Sequence, residues 1–208
     1  MLEEEEQESI FASVVDLMVG VLFVFLLLLT YFALDFKASS EAVAKTQERR
    51  ADLVQELSAR LQEQNIPVTI DARGGVLRLP DRLLFSKGSA ELTEAGRSVL
   101  TRLGAGLSDL LASYPGQIET VLIEGHTDGD PLSGATRYRD NYELSAARAI
   151  ATRAALLGAD ARLAESARAV VGVAGYGPDR PLAPETDEAG KSQNRRIELR
   201  LIVATPAA

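Results

Sequence analysis

The chain has 208 residues, of which 46% are hydrophobic and 25% are charged, an ordinary composition for a protein that folds around a core. Its formal net charge is −8, and the excess is uneven: residues 1–65 hold 12 acidic and 5 basic side chains, whereas residues 66–208 hold 18 and 17. The absence of a concentrated basic patch argues against a nucleic-acid partner. Since the chain has no cysteine, it forms no disulfide, thiolate nucleophile or zinc–thiolate site.

A long apolar run follows an acidic start. Residues 1–9 include five glutamates, and residues 10–34 contain a single charge, Asp16. A helix of 25 residues spans about 37 Å, enough to cross a hydrocarbon layer of about 30 Å with some tilt. A cleaved signal peptide would instead begin with basic residues and have a shorter apolar core. We therefore predict an acidic tail over residues 1–9 and an uncleaved transmembrane helix over residues 10–34.

Asp16 is the feature of this span that carries chemistry. It lies about 9 Å inside the predicted helix at ~1.5 Å per residue. An ionised carboxylate at the centre of a span costs about 2.5–3.5 kcal/mol on insertion scales, so a carboxyl inside the membrane is a candidate for proton uptake and release. The alternative is that Asp16 lies at the headgroup boundary and that the span begins at Leu17.

Residues 35–65 are predicted to form a helical linker. One narrow face is apolar, which is typical of a two-stranded coiled coil or of a helix packed on a partner. A solvated, semi-rigid spacer is the alternative. The apolar positions at near-helical spacing are Val43, Leu53, Val54, Leu57 and Leu61.

Residues 66–204 alternate between strand and helix patterns. This order predicts one layered sheet with helices packed on it, and for the whole chain an α+β class in which a transmembrane helix and a linker precede a mixed α/β sandwich domain. The predicted strands are Val68–Ile70, Val76–Leu79, Thr120–Glu124, Val170–Ala174 and Ile197–Val203. The predicted helices are Thr93–Tyr114, Tyr142–Leu157 and a shorter Asp187–Arg195.

Two charged residues in this domain are candidates for ligand binding. Asp128 follows a predicted strand, and Arg148 lies on the helix that opens near Asn141. A carboxylate and a guanidinium held close together can bind a zwitterion, since the carboxylate takes an ammonium group and the guanidinium a carboxylate. A structural salt bridge between Asp128 and Arg148 is the alternative.

The same region resembles the OmpA/MotB C-terminal family of peptidoglycan-binding domains. Five segments carry the resemblance in order: LFSKGSAEL (84–92), IEGHTD (123–128), NYELSAARA (141–149), GYGPDRP (175–181) and NRRIEL (194–199). The resemblance implies an OmpA-like fold, and the long loop over residues 129–140 is similar to the MotB branch. It further implies that Asp128 and Arg148 bind the diaminopimelate of the peptide stem. Thr127, Asn141 and Leu144 would shape the pocket. Arg196 is a further candidate for its lining, and the alternative is that it ties the last helix to the sheet edge together with Asn194 and Arg195.

The span resembles the single helix of ion-driven stator B subunits, such as flagellar MotB and the ZorB subunit of Zorya anti-phage systems. The matching segment is SVVDLMVG (13–20), in which Asp16 stands at the ion-carrying position. Val14 and Val15 replace the aromatic residue usual before the aspartate in flagellar versions, and the acidic tail replaces a basic one. The resemblance implies a homodimer inside a pentameric ring of a MotA- or ZorA-like multi-span subunit. The translocated ion is expected to be H⁺, with Na⁺ open, and no other cofactor is implied.

These features predict a peptidoglycan-anchored, ion-carrying motor subunit, with a passive anchor between inner membrane and cell wall as the alternative. Basic residues after the span would place the domain in the cytoplasm by the positive-inside rule. Binding to the wall requires the opposite, so we expect a cytoplasmic N-terminus and a periplasmic domain. No catalytic triad, metal cluster or Walker loop is visible, so no enzyme activity is expected. The single histidine, His126, is expected to make structural hydrogen bonds rather than bind metal.

Overall fold

The computed structural model describes residues 2–63, 66–133, 137–166 and 170–204, without the side chains of residues 2–10, 12 and 166. The glutamates of the predicted tail over residues 1–9 therefore lie outside the described side chains. The chain divides into two compact units, Met1–Lys45 and Thr46–Ala208.

The first unit is helical. Its described residues belong to helix α1 (Leu2–Glu63), and the large apolar side chains between Val14 and Leu34 are exposed along it. Among the described residues, this helix is the one long and apolar enough to cross a membrane, and none of its most apolar stretch is buried in protein. The Thr30 hydroxyl donates a 2.8 Å hydrogen bond to the carbonyl oxygen of Leu26, which satisfies its polar group within the helix. The predicted long apolar helix is confirmed.

The second unit contains the C-terminal part of α1, from Thr46 to Glu63. Four of its apolar side chains join the hydrophobic core and are at most 1% exposed: Leu53, Val54, Leu57 and Leu61. These side chains suggested a coiled coil in the sequence, but they are instead buried within the chain's own domain. The helical spacing was correct, whereas the surface that it packs against could not be read from the pattern.

One five-stranded sheet forms the centre of this unit, in the order β1-β2-β5-β3-β4. Strands β3 and β4 are parallel, and the other neighbouring pairs are antiparallel. All five predicted strands are present within a few residues of their predicted ends. Their bounds are β1 (Thr69–Asp71), β2 (Val76–Pro80), β3 (Ile118–His126), β4 (Val171–Gly177) and β5 (Arg196–Val203).

Helices α3 (Glu94–Ser113) and α4 (Asn141–Ala159) supply the apolar layer against the sheet. Both begin at side chains that accept backbone hydrogen bonds: Thr93 from Gly96 at 2.9 Å, and Asp140 from Glu143 at 2.8 Å. The three predicted helices of the domain are confirmed. The predicted short helix is α6 (Glu188–Asn194). The structure adds two short helices that the sequence pattern did not predict, α2 (Asp81–Leu84) and α5 (Ala161–Ser166).

Glycines allow α4 to approach the sheet closely. A Cβ atom at Gly125 of β3 would overlap the carbonyl oxygen of Ser145, and one at Gly175 of β4 would lie 2.5 Å from the backbone nitrogen of Ala146. Side chains at these two positions would push the helix away from the sheet. The glycines therefore fix the distance between α4, which carries Arg148, and the strand that leads to Asp128.

The two faces of the sheet differ in chemistry because successive residues of a strand point to opposite sides. Ile123 of β3 and Leu199 of β5 are paired and belong to the hydrophobic core. The next pair along the same strands is Glu124 and Glu198, which are 2% and 3% exposed. The apolar layer thus lies on one side of the sheet, and a dense network of charges lies on the other.

Candidate ligand-binding site

Asp128 lies two residues beyond β3, at the end of the strand predicted to present it. Thr127 donates a 3.0 Å backbone hydrogen bond to Gly177, which continues the β3–β4 contact past the last paired residue. The Asp128 side chain is 12% exposed, and its Oδ2 atom accepts a 2.5 Å hydrogen bond from Nη1 of Arg195. Asp128 is therefore a largely buried carboxylate with a cation already beside it.

Arg148 is buried, with 3% of its side chain exposed. Its Nε atom donates a 2.9 Å hydrogen bond to the carbonyl oxygen of Ser89, and Nη1 lies 3.0 Å from Oδ2 of Asp81. The guanidinium also stacks over the ring of Phe85, with its central carbon 5.4 Å from the ring centroid. Three independent contacts therefore fix the plane of this guanidinium.

The ion pairs differ from the structural salt bridge that the sequence left open. Among the described residues, Arg148 pairs with Asp81 and Asp128 pairs with Arg195, rather than with each other. The Asp81 backbone nitrogen also donates a 3.1 Å hydrogen bond to the Arg195 carbonyl oxygen, which ties the two pairs together. The structure thus assembles two carboxylates and two guanidiniums in adjacent ion pairs, with a third carboxylate, Glu188, on the outer side of Arg195.

Burial shifts the pKa values of Asp81 and Arg148 in opposite directions. It raises the pKa of Asp81, although Arg148 and Arg195 oppose the shift, and it lowers the pKa of Arg148 against the opposing effect of Asp81. Asp128 is close enough to influence the pKa of both Asp81 and Arg148. Burial lowers the pKa of Arg195, but the bonds to Asp128 and Glu188 have the larger combined effect. The pKa of Arg195 is therefore raised.

The other predicted pocket residues surround Asp128. Asn141, at the start of α4, donates from Nδ2 to the carbonyl oxygens of Asp130 at 2.8 Å and Asp128 at 3.3 Å, and so holds the loop that carries the carboxylate. Leu144 is buried one turn later on the same helix. The Thr127 hydroxyl oxygen is buried and has no hydrogen-bond partner in the described part of the chain.

A second set of contacts holds the Asp128 loop from the side of α6. The backbone nitrogen of Gly129 donates to both carboxylate oxygens of Glu185, at 3.0 and 2.8 Å. Asn194 donates a 2.8 Å hydrogen bond to Glu185 from its side-chain nitrogen, and Lys191 forms a 2.7 Å ion pair with Asp130. The loop is therefore tied to the β4–β5 connection before any ligand is considered.

The structure brings Arg195, rather than the predicted Arg196, to the site. Arg196 is the first residue of β5, and its side chain bonds to Glu198 at 2.7 Å and to the carbonyl oxygens of Asn194 and Arg180 at 3.1 Å each. Neighbouring residues in an extended segment point in opposite directions, so only one of the two arginines could reach Asp128. The sequence offered Arg196 for the pocket or for the tie between helix and sheet edge; the structure shows it bonded to Glu198 and Asn194.

The charged face of the sheet contains a group whose spacing resembles a metal site. One ligand atom from each of Glu124, His126 and Glu198 lies within 4.8 Å of the others. Both carboxylates, however, already bond to guanidiniums, with Arg200 on Glu124 at 2.8 Å and Arg78 on Glu198 at 3.0 Å. Because arginines compensate these carboxylates, the donor set does not suit a cation.

His126 differs from its predicted role. It is 1% exposed, and neither ring nitrogen has a hydrogen-bond partner among the described residues, although structural hydrogen bonds were expected. Its ring stacks on Tyr176 at a centroid distance of 5.5 Å. Burial, followed by the positive charge of Arg196, lowers the pKa of His126 to about 4. The imidazole is therefore neutral at physiological pH.

Residues 84–195 match the OmpA family, a region that contains four of the five segments of the resemblance, the first two residues of the fifth, and the described site apart from Asp81. The chain belongs to the OmpA family.

Three curated relatives are similar to this chain. The uncharacterised protein YtxE of Bacillus subtilis is 27% identical over 80% of this chain, the probable lipoprotein YiaD of Escherichia coli 32% over 71%, and Motility protein B of B. subtilis 26% over 67%. The matches cover 66%, 61% and 49% of those proteins, so the chain spans one half to two thirds of their lengths.

Among solved structures, a MotB-like protein from Desulfovibrio vulgaris has a TM-score of 0.62 at 28% identity, over 77% of this chain and 98% of that one. The cell wall anchor of the type VI secretion system from Pseudomonas aeruginosa has a TM-score of 0.53 at 26% identity, over 73% and 97%. The predicted MotB/OmpA-like fold is therefore confirmed.

Proposed function

We propose that this protein is the peptidoglycan-anchored, ion-carrying B subunit of a MotA/MotB-like membrane motor. The observation that carries the wall-binding part is the presence of two adjacent ion pairs, Asp128 with Arg195 and Arg148 with Asp81, in an OmpA-family domain. Two opposite charges in a partly desolvated site suit a zwitterion. The free end of diaminopimelate, which carries an ammonium beside a carboxylate, is such a group. Binding the wall requires no catalytic step by this chain.

Asp16 is the basis for the second part of the proposal, the ion-carrying role. It is the one charge between residues 10 and 34, on a helix long enough to cross a membrane. A carboxylate inside the hydrocarbon layer is expensive, and in membrane proteins such groups mark ion pathways. The similarity of the chain to Motility protein B and to the MotB-like structure supports the motor proposal.

The proposed assembly follows from the resemblance. Two copies would lie inside a pentameric ring of a MotA- or ZorA-like multi-span subunit, in the inner membrane. The N-terminus would be cytoplasmic and the domain periplasmic, where peptidoglycan is found. Binding of H⁺ at Asp16 would neutralise the carboxylate and alter its contacts with the ring. The membrane potential supplies about 2.3 kcal/mol per charge per 100 mV for this cycle. Swimming, Zorya-type phage defence and transport are alternative uses of the torque.

Asp16→Asn tests the ion-carrying role. Together with its multi-span partner in proteoliposomes, the wild-type chain should conduct protons and Asp16→Asn should not, while the two subunits still co-purify. Asp35→Asn is the matched control, because it removes a carboxylate just beyond the opposite end of the apolar run. Conduction that persists in Asp16→Asn would overturn the motor proposal. Replacing Na⁺ in the same assay identifies the ion.

Orientation can be tested with a single cysteine, because the chain has none of its own. Ser113 lies at the exposed C-terminal end of α3, so Ser113→Cys gives an accessible thiol within the domain. An impermeant maleimide added to cells with a permeabilised outer membrane should label it. Protection until the inner membrane is also opened would reverse the proposed topology.

A passive anchor between membrane and wall is the second candidate. The structural similarity to the cell wall anchor of a secretion system favours it, since a protein of similar fold serves there as an anchor. The two proposals share the wall-binding site and differ at Asp16. Sacculus binding without any ion conduction or multi-span partner would support the anchor.

A further inference from the structure

We infer that Asp81 determines the ligand specificity of this site, by making it select a zwitterion over a simple carboxylate. The inference rests on the proposed binding of a diaminopimelate-type group and assigns a residue outside the family-matched region 84–195. Asp81 would act without touching the ligand's ammonium, through its hold on Arg148.

The backbone fixes the position of Asp81. It begins α2 directly after Pro80, the last residue of β2, and its carbonyl oxygen accepts a 2.8 Å hydrogen bond from the Phe85 nitrogen. Its own nitrogen bonds to the Arg195 carbonyl oxygen at 3.1 Å. The residue is 8% exposed, so its carboxylate is confined beside the guanidinium that it contacts.

The bonds of Arg148 limit what a ligand carboxylate can gain. Nε is used by Ser89 and Nη1 by Asp81, and within the described ranges Nη2 has no hydrogen-bond partner. A carboxylate that approaches can form a bidentate fork with Nη1 and Nη2 only by sharing Nη1 with Asp81. It is also repelled by Asp81 and Asp128, whose charges lie close to Arg148.

An ammonium group on the same ligand adds an attraction that offsets this repulsion. It can pair with Asp128, whose Oδ2 is otherwise satisfied by the part-exposed Arg195. Asp81, Asp128 and Glu188 face Arg148 and Arg195, so three negative charges stand against two positive ones. A net-neutral ligand leaves this sum unchanged, whereas a simple carboxylate adds a further negative charge. Without Asp81 the site would lose one negative charge and Nη1 of Arg148 would be free. A simple carboxylate would then bind well.

The experiment compares two probes on the full-length chain in detergent, by calorimetry. The probes are meso-diaminopimelate and pimelate, which has the same seven-carbon dicarboxylate chain without the amines. The wild type should bind diaminopimelate at least about tenfold more tightly, given the strength of charge–charge interactions at short range. Asp81→Asn should raise the affinity for pimelate, so that the ratio of diaminopimelate affinity to pimelate affinity falls by about tenfold.

Two control variants separate specificity from folding. Asp81→Glu keeps the charge and should keep the preference, and Glu119→Gln removes an exposed carboxylate at the opposite end of β3 and should leave the ratio unchanged. An unchanged ratio in Asp81→Asn, or equal binding of the two probes by the wild type, would overturn the inference and leave wall binding intact. A wild type that binds neither diaminopimelate nor sacculi would instead overturn the proposed function, and the inference with it.

If Asp81→Asn does not fold, the wild-type protein supplies the answer. The ¹³C carboxyl resonance of Asp81 should move when diaminopimelate saturates the site, because the ligand carboxylate would share the guanidinium with it. A resonance that does not move at saturation would overturn the inference.

Discussion

Tyr114, at the end of α3, donates a 2.7 Å hydrogen bond to Glu56 of α1, across 58 residues of sequence. Arg49 stacks over the same tyrosine ring at 5.0 Å and donates a 2.7 Å bond from Nε to Gln117. The bond to Tyr114 lowers the pKa of Glu56 and raises that of Tyr114. These contacts join the last turns of α1 to the domain, in addition to its buried leucines.

We therefore expect the folded domain to begin near Thr46 rather than at residue 66. Leu57 is fully buried, and Leu→Ala changes at such positions cost about 2–5 kcal/mol of unfolding free energy. Leu57→Ala should lower the stability of residues 46–208 by that amount in a urea titration. Val43→Ala is the control in the full-length chain, because Val43 is exposed in the first unit. Equal stability of residues 46–208 and 66–208 would contradict the prediction.

Asp128→Ala and Arg148→Ala should differ in their cost to folding. Both should weaken binding to purified sacculi by about tenfold or more, because a charge-assisted hydrogen bond contributes about 1.5–3 kcal/mol. Arg148→Ala leaves the buried Asp81 without its cation, which costs about 3–5 kcal/mol in comparable buried pairs. Asp128→Ala leaves Arg195, which keeps its contact with Glu188. Thermal melts beside a sacculus pull-down check this ranking, and retained sacculus binding in both variants would remove the site assignment.

The sequence was sufficient to predict the elements whose hydrophobic residues recur with a regular spacing. The five strands and the two long helices of the domain, α3 and α4, follow from alternating or helical hydrophobic patterns, and the Asp128 and Arg148 positions follow from motifs. The partners of these two residues were not predictable in the same way. Asp81 lies 67 residues from Arg148 in the chain and Arg195 lies 67 residues from Asp128. Only the pairing of β2 with β5 and of β5 with β3 brings them together, and no local pattern encodes that register.

The neutral, buried His126 makes stability depend on pH. Its pKa is about 4 in the folded protein, against about 6.5 in an unfolded chain, so the unfolded state binds the proton more readily. The resulting stability is fully present above about pH 6.5 and is lost as the pH falls toward 4, by about 3 kcal/mol in total.

His126→Phe keeps a ring for Tyr176 to stack on and removes the titration. The difference in unfolding free energy between wild type and variant should therefore change between pH 7 and pH 4.5 and favour the variant at the lower pH. Urea titrations at both values measure it. A difference that does not vary with pH would show that His126 titrates normally.

Gly125→Ala should damage the site from a distance. A Cβ atom there overlaps the Ser145 carbonyl oxygen, which belongs to the backbone of α4 and cannot rotate away. The helix must therefore shift outward, and Arg148, three residues beyond Ser145, moves with it. We expect a loss of stability of about 1–3 kcal/mol, as for other overpacked positions, together with weaker sacculus binding. Gly158→Ala is the matched control on α4, because its Cβ would meet nothing within 4 Å and alanine favours a helix by about 1 kcal/mol. Wild-type stability and binding in Gly125→Ala would show that the close approach of α4 to β3 does not position Arg148.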